Sequence, residues 1–311
     1  MNMATYDVII IGAGPAGMTA GIYCGRSGLK TLIVEKTGAG GQLLKMDLVE
    51  NYPGFPDGVN SFDLIEKIKT QAKRFGVIFA EGEVSLIKRQ GIQEFVATTT
   101  AGTEHTCKAV IIATGASPKG LGVKGESELQ GRGVSYCATC DGPLFKNKDI
   151  VVVGGGDTAV GEAIYLTRFV KKLILVHRRD RLRAATVLQD RLFKEKCVEI
   201  RWGSVLTGIT GDNKVAGVTV QDVKTGQEAA IPCQGVFVFV GIEPATGFIK
   251  DIVQLDNNGF IVADEHMKTS SEGIFGCGDA RKNPLKQIVT ACAEGALAAQ
   301  SALQYLETLK T

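Results

Sequence analysis

Two cysteines three positions apart, followed directly by an acid, are the residues of this chain best suited to chemistry. Cys137 and Cys140 enclose Ala138 and Thr139, and Asp141 comes next. Such a pair can carry a redox dithiol, or it can form half of a metal site. A carboxylate beside a thiol hinders thiolate formation, but it can return a proton to a departing thiolate. We therefore predict a redox-active pair with Asp141 as its general acid.

Two other uses of the cysteine pair are weaker. A structural zinc or iron–sulfur site needs a second close pair or histidine partners, but the sequence has three histidines in all and no second close pair. A chance pair of buried cysteines would not explain the adjacent acid. The six other cysteines are scattered, as free thiols are in a reducing cytosol. We therefore predict no metal site and a cytoplasmic protein.

One glycine-rich motif occurs twice, each time after an apolar run typical of a buried parallel strand. In a Rossmann βαβ unit, such glycines let the backbone approach a pyrophosphate at a helix N-terminus. A lone motif is a weak signal, but here both copies have a strand before them and a helix after them. The predicted phosphate-binding residues are Gly12, Gly14, Pro15, Ala16 and Gly17 in the first motif, and Gly154, Gly156, Asp157, Thr158 and Ala159 in the second.

The residues 23 positions after the first glycine of each motif differ in charge. Glu35 can accept hydrogen bonds from both ribose hydroxyls and would repel a 2′-phosphate, which suits FAD or NAD. His177, Arg178 and Arg179, with Arg183 further on, offer cationic donors at the equivalent position. Guanidinium groups match phosphate oxygens bidentately, so the second motif favours NADP.

The elements around the two motifs follow the same plan. Each copy reads as a βαβ unit, then a meander, then a strand that ends in a glycine-bearing turn. We predict an α/β fold of two Rossmann-like nucleotide-binding domains, the second inserted into the first, with the first over 1–115 and 247–311 and the second over 116–246. The pattern also predicts a helix at about 61–75, capped by Ser61, and a final helix over about 287–309.

Bulk composition excludes some classes of function. The chain has 311 residues, a net charge of +2, 44% hydrophobic and 22% charged residues. This balance offers no electrostatic case for a nucleic acid or a membrane surface as partner. No apolar run approaches the roughly 18 residues of a membrane span. The N-terminus lacks the basic region of a secretory signal.

Together, these motifs resemble those of bacterial-type, low-molecular-weight thioredoxin reductases, and the resemblance spans nearly the whole chain. It implies that NADPH reduces FAD, that FAD reduces a Cys137–Cys140 disulfide, and that the dithiol reduces thioredoxin in a homodimeric enzyme. The first domain would then bind FAD and the second NADPH. The segments that carry the resemblance are 137–142, 154–159, 177–180, 40–42, 50–54, 113–115 and 278–279.

The resemblance also implies a role for individual residues. Cys140 would face the flavin, Cys137 would attack the substrate disulfide, and Asp141 would be the acid. NADPH would be held by His177, Arg178, Arg179 and Arg183. The FAD contacts beyond the first glycine motif would be Glu35, Gly40, Gly41, Gln42, Asn51, Ala113, Thr114, Gly115, Asp279, Gln287 and Ile288.

Two positions depart from the family pattern. Lys286 stands where the family often has an arginine, which is a more directional donor. Cys277 stands where a small residue is common, and we interpret it as a core residue.

Four alternative functions share parts of this pattern. A ferredoxin–NADP reductase would keep both nucleotide motifs but lack the dithiol. A dithiol oxidase would keep the cysteines but need no NADP site. A reductase of another small redox protein would keep both nucleotide motifs and the dithiol. A non-catalytic flavoprotein that senses redox state would not need all the motifs intact.

Overall fold

The computed structural model describes residues 5–45, 48–91 and 93–310. In chain order, its helices are α1 (Pro15–Arg26), α2 (Ser61–Arg74), α3 (Ala138–Asp141), α4 (Asp157–Leu166), α5 (Thr186–Leu192) and α6 (Ile288–Thr308). Turns of 3-10 helix occupy Gly41–Lys45, Gly142–Phe145, Gly247–Ile249 and Gly278–Ala280. Within the described ranges, no helix is long and apolar enough to cross a membrane.

The strands of the described residues are β1 (Thr5–Ile11), β2 (Thr31–Glu35), β3 (Leu48–Val49), β4 (Val59–Asn60), β5 (Ile78–Glu81), β6 (Val84–Gln90), β7 (Glu94–Thr99), β8 (Glu104–Ile112), β9 (Ala116–Pro118), β10 (Val134–Ser135), β11 (Asp149–Gly154), β12 (Lys172–Val176), β13 (Val198–Arg201), β14 (Ser204–Thr210), β15 (Gly217–Asp222), β16 (Glu228–Pro232), β17 (Gly235–Phe239), β18 (Ile242–Pro244) and β19 (Ile274–Gly276). The chain divides into unit 1, Met1–Ser117 with Glu243–Thr311, and unit 2, Pro118–Ile242.

Unit 1 is built on a sheet with the order β5-β2-β1-β8-β7-β6, to which β19 adds by pairing with β8. β1 pairs in parallel with β2 and β8, whereas β7 pairs antiparallel with β8. Side chains of β1 alternate between two cores, with Ile10 in one and Ile9 in the other. This burial on both faces explains the continuous apolar run before the first glycine motif.

Helix α2 begins where the sequence predicts, but its cap is different. The Asn60 side-chain oxygen accepts hydrogen bonds from the backbone N–H groups of Phe62, at 3.0 Å, and Asp63, at 3.4 Å. The predicted cap at Ser61 is therefore wrong, because Ser61 is already the first helical residue. Both residue types are good caps, and the backbone of Asn60, which is still extended, decides between them.

The last helix packs against the first, as expected for a C-terminal segment that completes the first domain. A Cβ added at Gly295 of α6 would lie 2.2 Å from the carbonyl oxygen of Ala16 in α1. Only glycine allows this approach between the helix backbones. Since Ala16 belongs to the first glycine motif, α6 helps to set the position of the helix that follows it.

Substituting Gly295 with alanine is expected to destabilise the protein by about 1–3 kcal/mol, because the added methyl meets backbone that cannot move aside cheaply. The matched control is Gly161→Ala in α4, where an added Cβ meets open space within 4 Å among the described residues. That change should stabilise by up to about 1 kcal/mol through helix propensity. Denaturant unfolding of both variants checks the contrast, and equal stabilities would contradict it.

Unit 2 repeats the Rossmann plan in a second sheet, with the order β10-β17-β11-β12-β13 and parallel pairing throughout. Val151 and Val153 of β11 face one core, and Ile150 and Val152 face the other. A separate antiparallel sheet, β14-β15-β16, covers one side. The prediction of an α/β fold with two Rossmann-like domains, one inserted into the other, is thereby confirmed.

Candidate nucleotide and dithiol sites

The first glycine motif forms a tight turn between β1 and α1. Gly12 has a φ of +102°, and a Cβ there would lie 2.5 Å from the carbonyl oxygen of Ala113. Gly14, in contrast, would direct a Cβ into open space, with no neighbour within 4 Å in the described residues. Gly40 donates its N–H to the carbonyl of Ala13 at 2.8 Å, which brings a second glycine loop alongside. The backbone around Gly14 is therefore open to a ligand at the start of α1.

Glu35 lies at the end of β2 beside this turn. One carboxylate oxygen accepts a hydrogen bond from the N–H of Ala13 at 2.7 Å, and the other accepts from the N–H of Lys36 at 2.8 Å. These bonds fix the carboxylate at the edge of the sheet from which the glycine turn leaves. A ribose bound there would meet an oriented acceptor, as the sequence predicts.

Four buried side-chain atoms of unit 1 have no hydrogen-bond partner among the described residues: Oγ1 of Thr114, Oδ1 of Asp279, Nε of Arg281 and Oδ1 of Asn283. The first two belong to residues predicted to contact FAD. Thr114 follows β8 and Asp279 follows β19, and these strands pair in parallel, so both residues lie at the same edge of the sheet. An unpartnered buried polar atom costs about 1–3 kcal/mol. The open glycine turn and these two atoms fit a dinucleotide such as FAD at the carboxyl ends of the strands.

Asp279 is held in a charged environment. Burial raises the pKa of its carboxyl, Glu294 raises it further, and the Lys286 ammonium opposes the shift. Lys286 donates hydrogen bonds to the carbonyl oxygens of Asp279, at 2.8 Å, and Arg281, at 3.2 Å. The lysine that replaces the family's common arginine thus holds the backbone that carries Asp279.

Other predicted FAD residues lie at the start of α6 and in the loops of unit 1. Asn51 donates from Nδ2 to Oε1 of Gln287 at 3.0 Å, and Gln287 precedes Ile288, the first residue of α6. Gln42 donates from Nε2 to Oγ of Ser117 at 3.0 Å. Asn51 and Gln287 are therefore brought together.

The second glycine motif forms the turn between β11 and α4 in unit 2. A Cβ added at Gly156, as at Gly14, would meet no neighbour within 4 Å in the described residues. The segment after β12 returns to this turn, because Arg183 donates its N–H to the carbonyl of Gly155 at 2.7 Å. Asp157 adds a second tie, since its Oδ1 accepts from the N–H of Ala185 at 2.7 Å.

Of the four basic residues predicted to bind NADPH, one is buried and three are exposed. The His177 ring is 5% exposed, and its Nε2 lies 3.0 Å from the carbonyl oxygen of Arg181. A Cβ at Gly155 would lie 2.2 Å from its Nδ1, so the ring packs directly under the glycine turn. Burial lowers the pKa of His177. Arg178, Arg179 and Arg183 are exposed and offer the charged donors, whereas a direct contact of His177 with NADPH stays a prediction.

Cys137 and Cys140 form a disulfide, with Cα atoms 5.3 Å apart, and both residues are half-buried. Cys137 caps the single turn of α3: its sulfur accepts a hydrogen bond from the N–H of Cys140 at 3.2 Å. The hydroxyl oxygen of Thr139 lies 3.4 Å from the same sulfur. Donors directed at a sulfur favour its thiolate form, so this geometry suits Cys137 as the attacking thiol.

Asp141 is anchored beside the disulfide by a residue that sequence reasoning missed. Ser135 donates its hydroxyl to Oδ2 of Asp141 at 2.6 Å, and its oxygen accepts the N–H of Cys137 at 3.1 Å. Burial raises the pKa of Asp141, and the bond from Ser135 offsets part of that rise. A serine two positions before the cysteine pair carries no signal of its own, because its role depends on the turn of α3.

A buried carboxylate holds the other side of the same segment. Glu126 accepts hydrogen bonds from the N–H of Gly122 at 2.7 Å and from the Tyr136 hydroxyl at 2.8 Å. Tyr136 directly precedes Cys137, so Glu126 helps to fix the position of the chain just before the dithiol. This residue was also missed, since a lone glutamate in a loop is usually a solvated side chain.

A family model for pyridine nucleotide-disulphide oxidoreductases matches residues 6–295, which include both glycine motifs and the dithiol. The chain belongs to this family. It is similar to the thioredoxin reductase of Listeria monocytogenes, with 48% identity over 98% of this chain and 95% of that protein. It is also similar to the thioredoxin reductase of Treponema pallidum, with 45% identity over 98% of both chains.

Among solved structures, the thioredoxin reductase of Streptococcus pyogenes superimposes with a TM-score of 0.93 at 46% identity, covering 99% of this chain and 100% of that one. The resemblance inferred from the motifs is thereby confirmed. As a member of the pyridine nucleotide-disulphide oxidoreductases, the chain is an FAD-dependent oxidoreductase that uses a pyridine nucleotide.

Proposed function

We propose that this chain is an NADPH-dependent thioredoxin reductase. The observation that carries the proposal is the Cys137–Cys140 disulfide, because it lies in the same unit as a nucleotide turn lined with exposed arginines. A ferredoxin–NADP reductase needs no such disulfide, and a dithiol oxidase needs no such arginines. The relatives that match over nearly the whole chain bear the name of this activity.

Each unit binds one of the two nucleotides in this proposal. We assign FAD to unit 1 and NADPH to unit 2, which correspond to the predicted domains over 1–115 with 247–311 and over 116–246 apart from a few residues at each boundary. The FAD residues are those of the first glycine motif, with Glu35, Thr114 and Asp279 as the polar contacts. Bound FAD supplies the two-electron chemistry that links a nicotinamide to a disulfide.

The chain's own groups then reduce the substrate by thiol–disulfide exchange. The Cys137 thiolate attacks one sulfur of the thioredoxin disulfide, forming a mixed disulfide and releasing the other sulfur as a thiolate. The Cys140 thiolate attacks the Cys137 sulfur, which restores the internal disulfide and releases the second thioredoxin sulfur. Asp141 donates a proton to a departing thiolate.

A coupled assay tests this function directly. The purified protein, loaded with FAD, is mixed with NADPH and oxidised thioredoxin, and consumption of NADPH is followed by its absorbance. We expect NADPH consumption that depends on thioredoxin. Consumption that instead follows a glutaredoxin-like protein would support the second candidate, a reductase of another small redox protein.

Asp141→Asn is expected to lower the rate of thioredoxin reduction by about 10²-fold, because the amide cannot donate the proton. Burial raises the pKa of Asp141, so the wild-type rate should fall as pH rises through that raised value. The variant should lose this dependence. The raised pKa of Asp141 has a second effect, on stability. The protonated carboxyl favours the folded state at low pH, and this contribution to the free energy of unfolding is lost as pH rises. The stability of Asp141→Asn should therefore vary less with pH than that of the wild type.

The measurement is a pH profile of kcat/KM for thioredoxin, with Asp190→Asn on exposed α5 as the control. The control should match the wild type throughout. An Asp141→Asn enzyme that keeps the full rate and the wild-type pH profile would show that the proton comes from elsewhere.

We further propose a homodimer in the cytoplasm. The resemblance implies the dimer, and large apolar side chains such as Tyr23 of α1 and Leu297 of α6 are 45% exposed in the single chain. The thiols of Cys24, Cys107, Cys197, Cys233, Cys277 and Cys292 are free, which fits a reducing compartment. Sedimentation that shows a 33.0 kDa species alone would contradict the dimer.

A further inference from the structure

Glu294, on the second turn of α6, is a nearly buried acid that the reaction does not use. Its side chain is 12% exposed, although a glutamate in an alanine-rich helix would ordinarily face solvent. The carboxylate points at the segment 278–283, which connects β19 to the loop before α6. That segment carries Asp279, one of the two unpartnered polar residues of the proposed FAD site.

Three contacts join the Glu294 carboxylate to this segment. Oε2 accepts a hydrogen bond from the N–H of Gly278 at 2.8 Å. Oε1 accepts from Nδ2 of Asn283 at 3.3 Å and lies 3.5 Å from Nε of Arg281. One side chain therefore ties down the residue before Asp279 and two residues after it.

The 278–283 segment needs the Glu294 carboxylate to stay in this position. Gly278 has a φ of +68°, and a Cβ there would lie 2.8 Å from the Cβ of Ala16, so its backbone passes close to α1. Its N–H points into the protein and would lose its acceptor if Glu294 were removed. The buried guanidinium of Arg281, 16% exposed, would lose its counter-charge as well.

We propose that Glu294 is a positioning residue for FAD: it holds the 278–283 segment so that the Asp279 carboxyl faces the flavin nucleotide. The inference rests on the proposed placement of FAD in unit 1. Glu294 itself does not touch the cofactor and acts only through Gly278, Arg281 and Asn283. Lys286, which bonds the carbonyl oxygens of Asp279 and Arg281, supports the same segment from its other side.

The test measures FAD affinity of the full-length apoprotein by quenching of flavin fluorescence. Glu294→Ala is expected to weaken FAD binding at least tenfold. Glu294→Gln should stay within about threefold of the wild type, because its amide oxygen can accept from Gly278. Its amide nitrogen can donate to Oδ1 of Asn283 once the Asn283 amide, whose Nδ2 faces Glu294 in the wild type, turns over. Glu307→Ala, an exposed acid near the end of the same helix, should bind FAD like the wild type.

A fourth variant, Asp279→Asn, separates failure of the inference from failure of the FAD site. If Asp279→Asn loses affinity but Glu294→Ala does not, the inference is wrong and the site stands. If neither change affects FAD binding, the proposed site is wrong too. If Glu294→Gln is as weak as Glu294→Ala, the contact with Gly278 is not the cause, and the inference also fails.

A purely structural role for Glu294 predicts a different result. In that case apoprotein unfolding would shift in Glu294→Ala, and FAD affinity of the folded fraction would not. The bound flavin's absorption spectrum gives a second readout, since a displaced Asp279 should alter it in Glu294→Ala and leave it unchanged in Glu294→Gln. An unaltered spectrum in both variants would overturn the positioning role.

Discussion

Replacing Cys140 with serine is expected to lower kcat/KM for thioredoxin at least about 10⁴-fold, since residues that act as one catalytic unit fail together. Without the Cys140 sulfur, no internal disulfide can form, so a mixed disulfide between Cys137 and thioredoxin cannot be resolved and turnover stops. Reduction of the flavin by NADPH should persist, and its bleaching is followed by stopped-flow absorbance.

The two cysteines should differ in what they trap. The Cys140→Ser variant keeps Cys137, whose sulfur accepts the Cys140 N–H, and it should accumulate a mixed disulfide with thioredoxin. Cys137→Ser should trap thioredoxin poorly or not at all. Cys197→Ser, which removes a half-buried free thiol of the same unit, serves as the control with wild-type activity. Trapping by Cys137→Ser instead would reverse the assigned roles.

Replacing Arg178 and Arg179 together with alanine is expected to raise KM for NADPH by about 10²-fold. Each charge-assisted hydrogen bond to the 2′-phosphate is worth about 1.5–3 kcal/mol. KM for NADH should change little, because that nucleotide lacks the phosphate. The comparison is made in steady-state assays with both nucleotides.

Arg191→Ala, an exposed arginine on α5, is the matched control and should leave both KM values unchanged. Equal losses for NADPH and NADH in the double variant would show that Arg178 and Arg179 do not read the 2′-phosphate. If His177→Ala also raised KM, the cause would be a displaced glycine turn, because the His177 ring packs under Gly155.

The features that could be predicted from the sequence are those encoded by a local pattern. The run of β-branched residues before Gly12 predicts a strand buried on both faces, and Ile9 and Ile10 do face opposite cores. The return of the C-terminal segment to the first unit follows from the repeated plan, and β19 pairs with β8 accordingly. The cysteine pair is likewise a short, self-contained signal.

The features that could not be predicted depend on distant segments. Nothing near Glu294 indicates that its carboxylate meets Gly278, which lies 16 positions earlier. His177 occupies the position equivalent to Glu35, yet its ring is buried under a glycine turn more than twenty residues away. The cap of α2 at Asn60 was missed by a single position, because two good capping residues stand side by side.

The packing of α6 on α1 has a consequence for how the protein is made on the ribosome. Unit 1 takes its central strand from the start of the chain and takes β19 and α6 from its last forty residues, whereas unit 2 is continuous. During translation, unit 2 leaves the ribosome complete, while unit 1 still lacks the strand and helix that complete its nucleotide crevice. Capture of the yellow cofactor therefore has to wait until synthesis of the polypeptide is nearly finished.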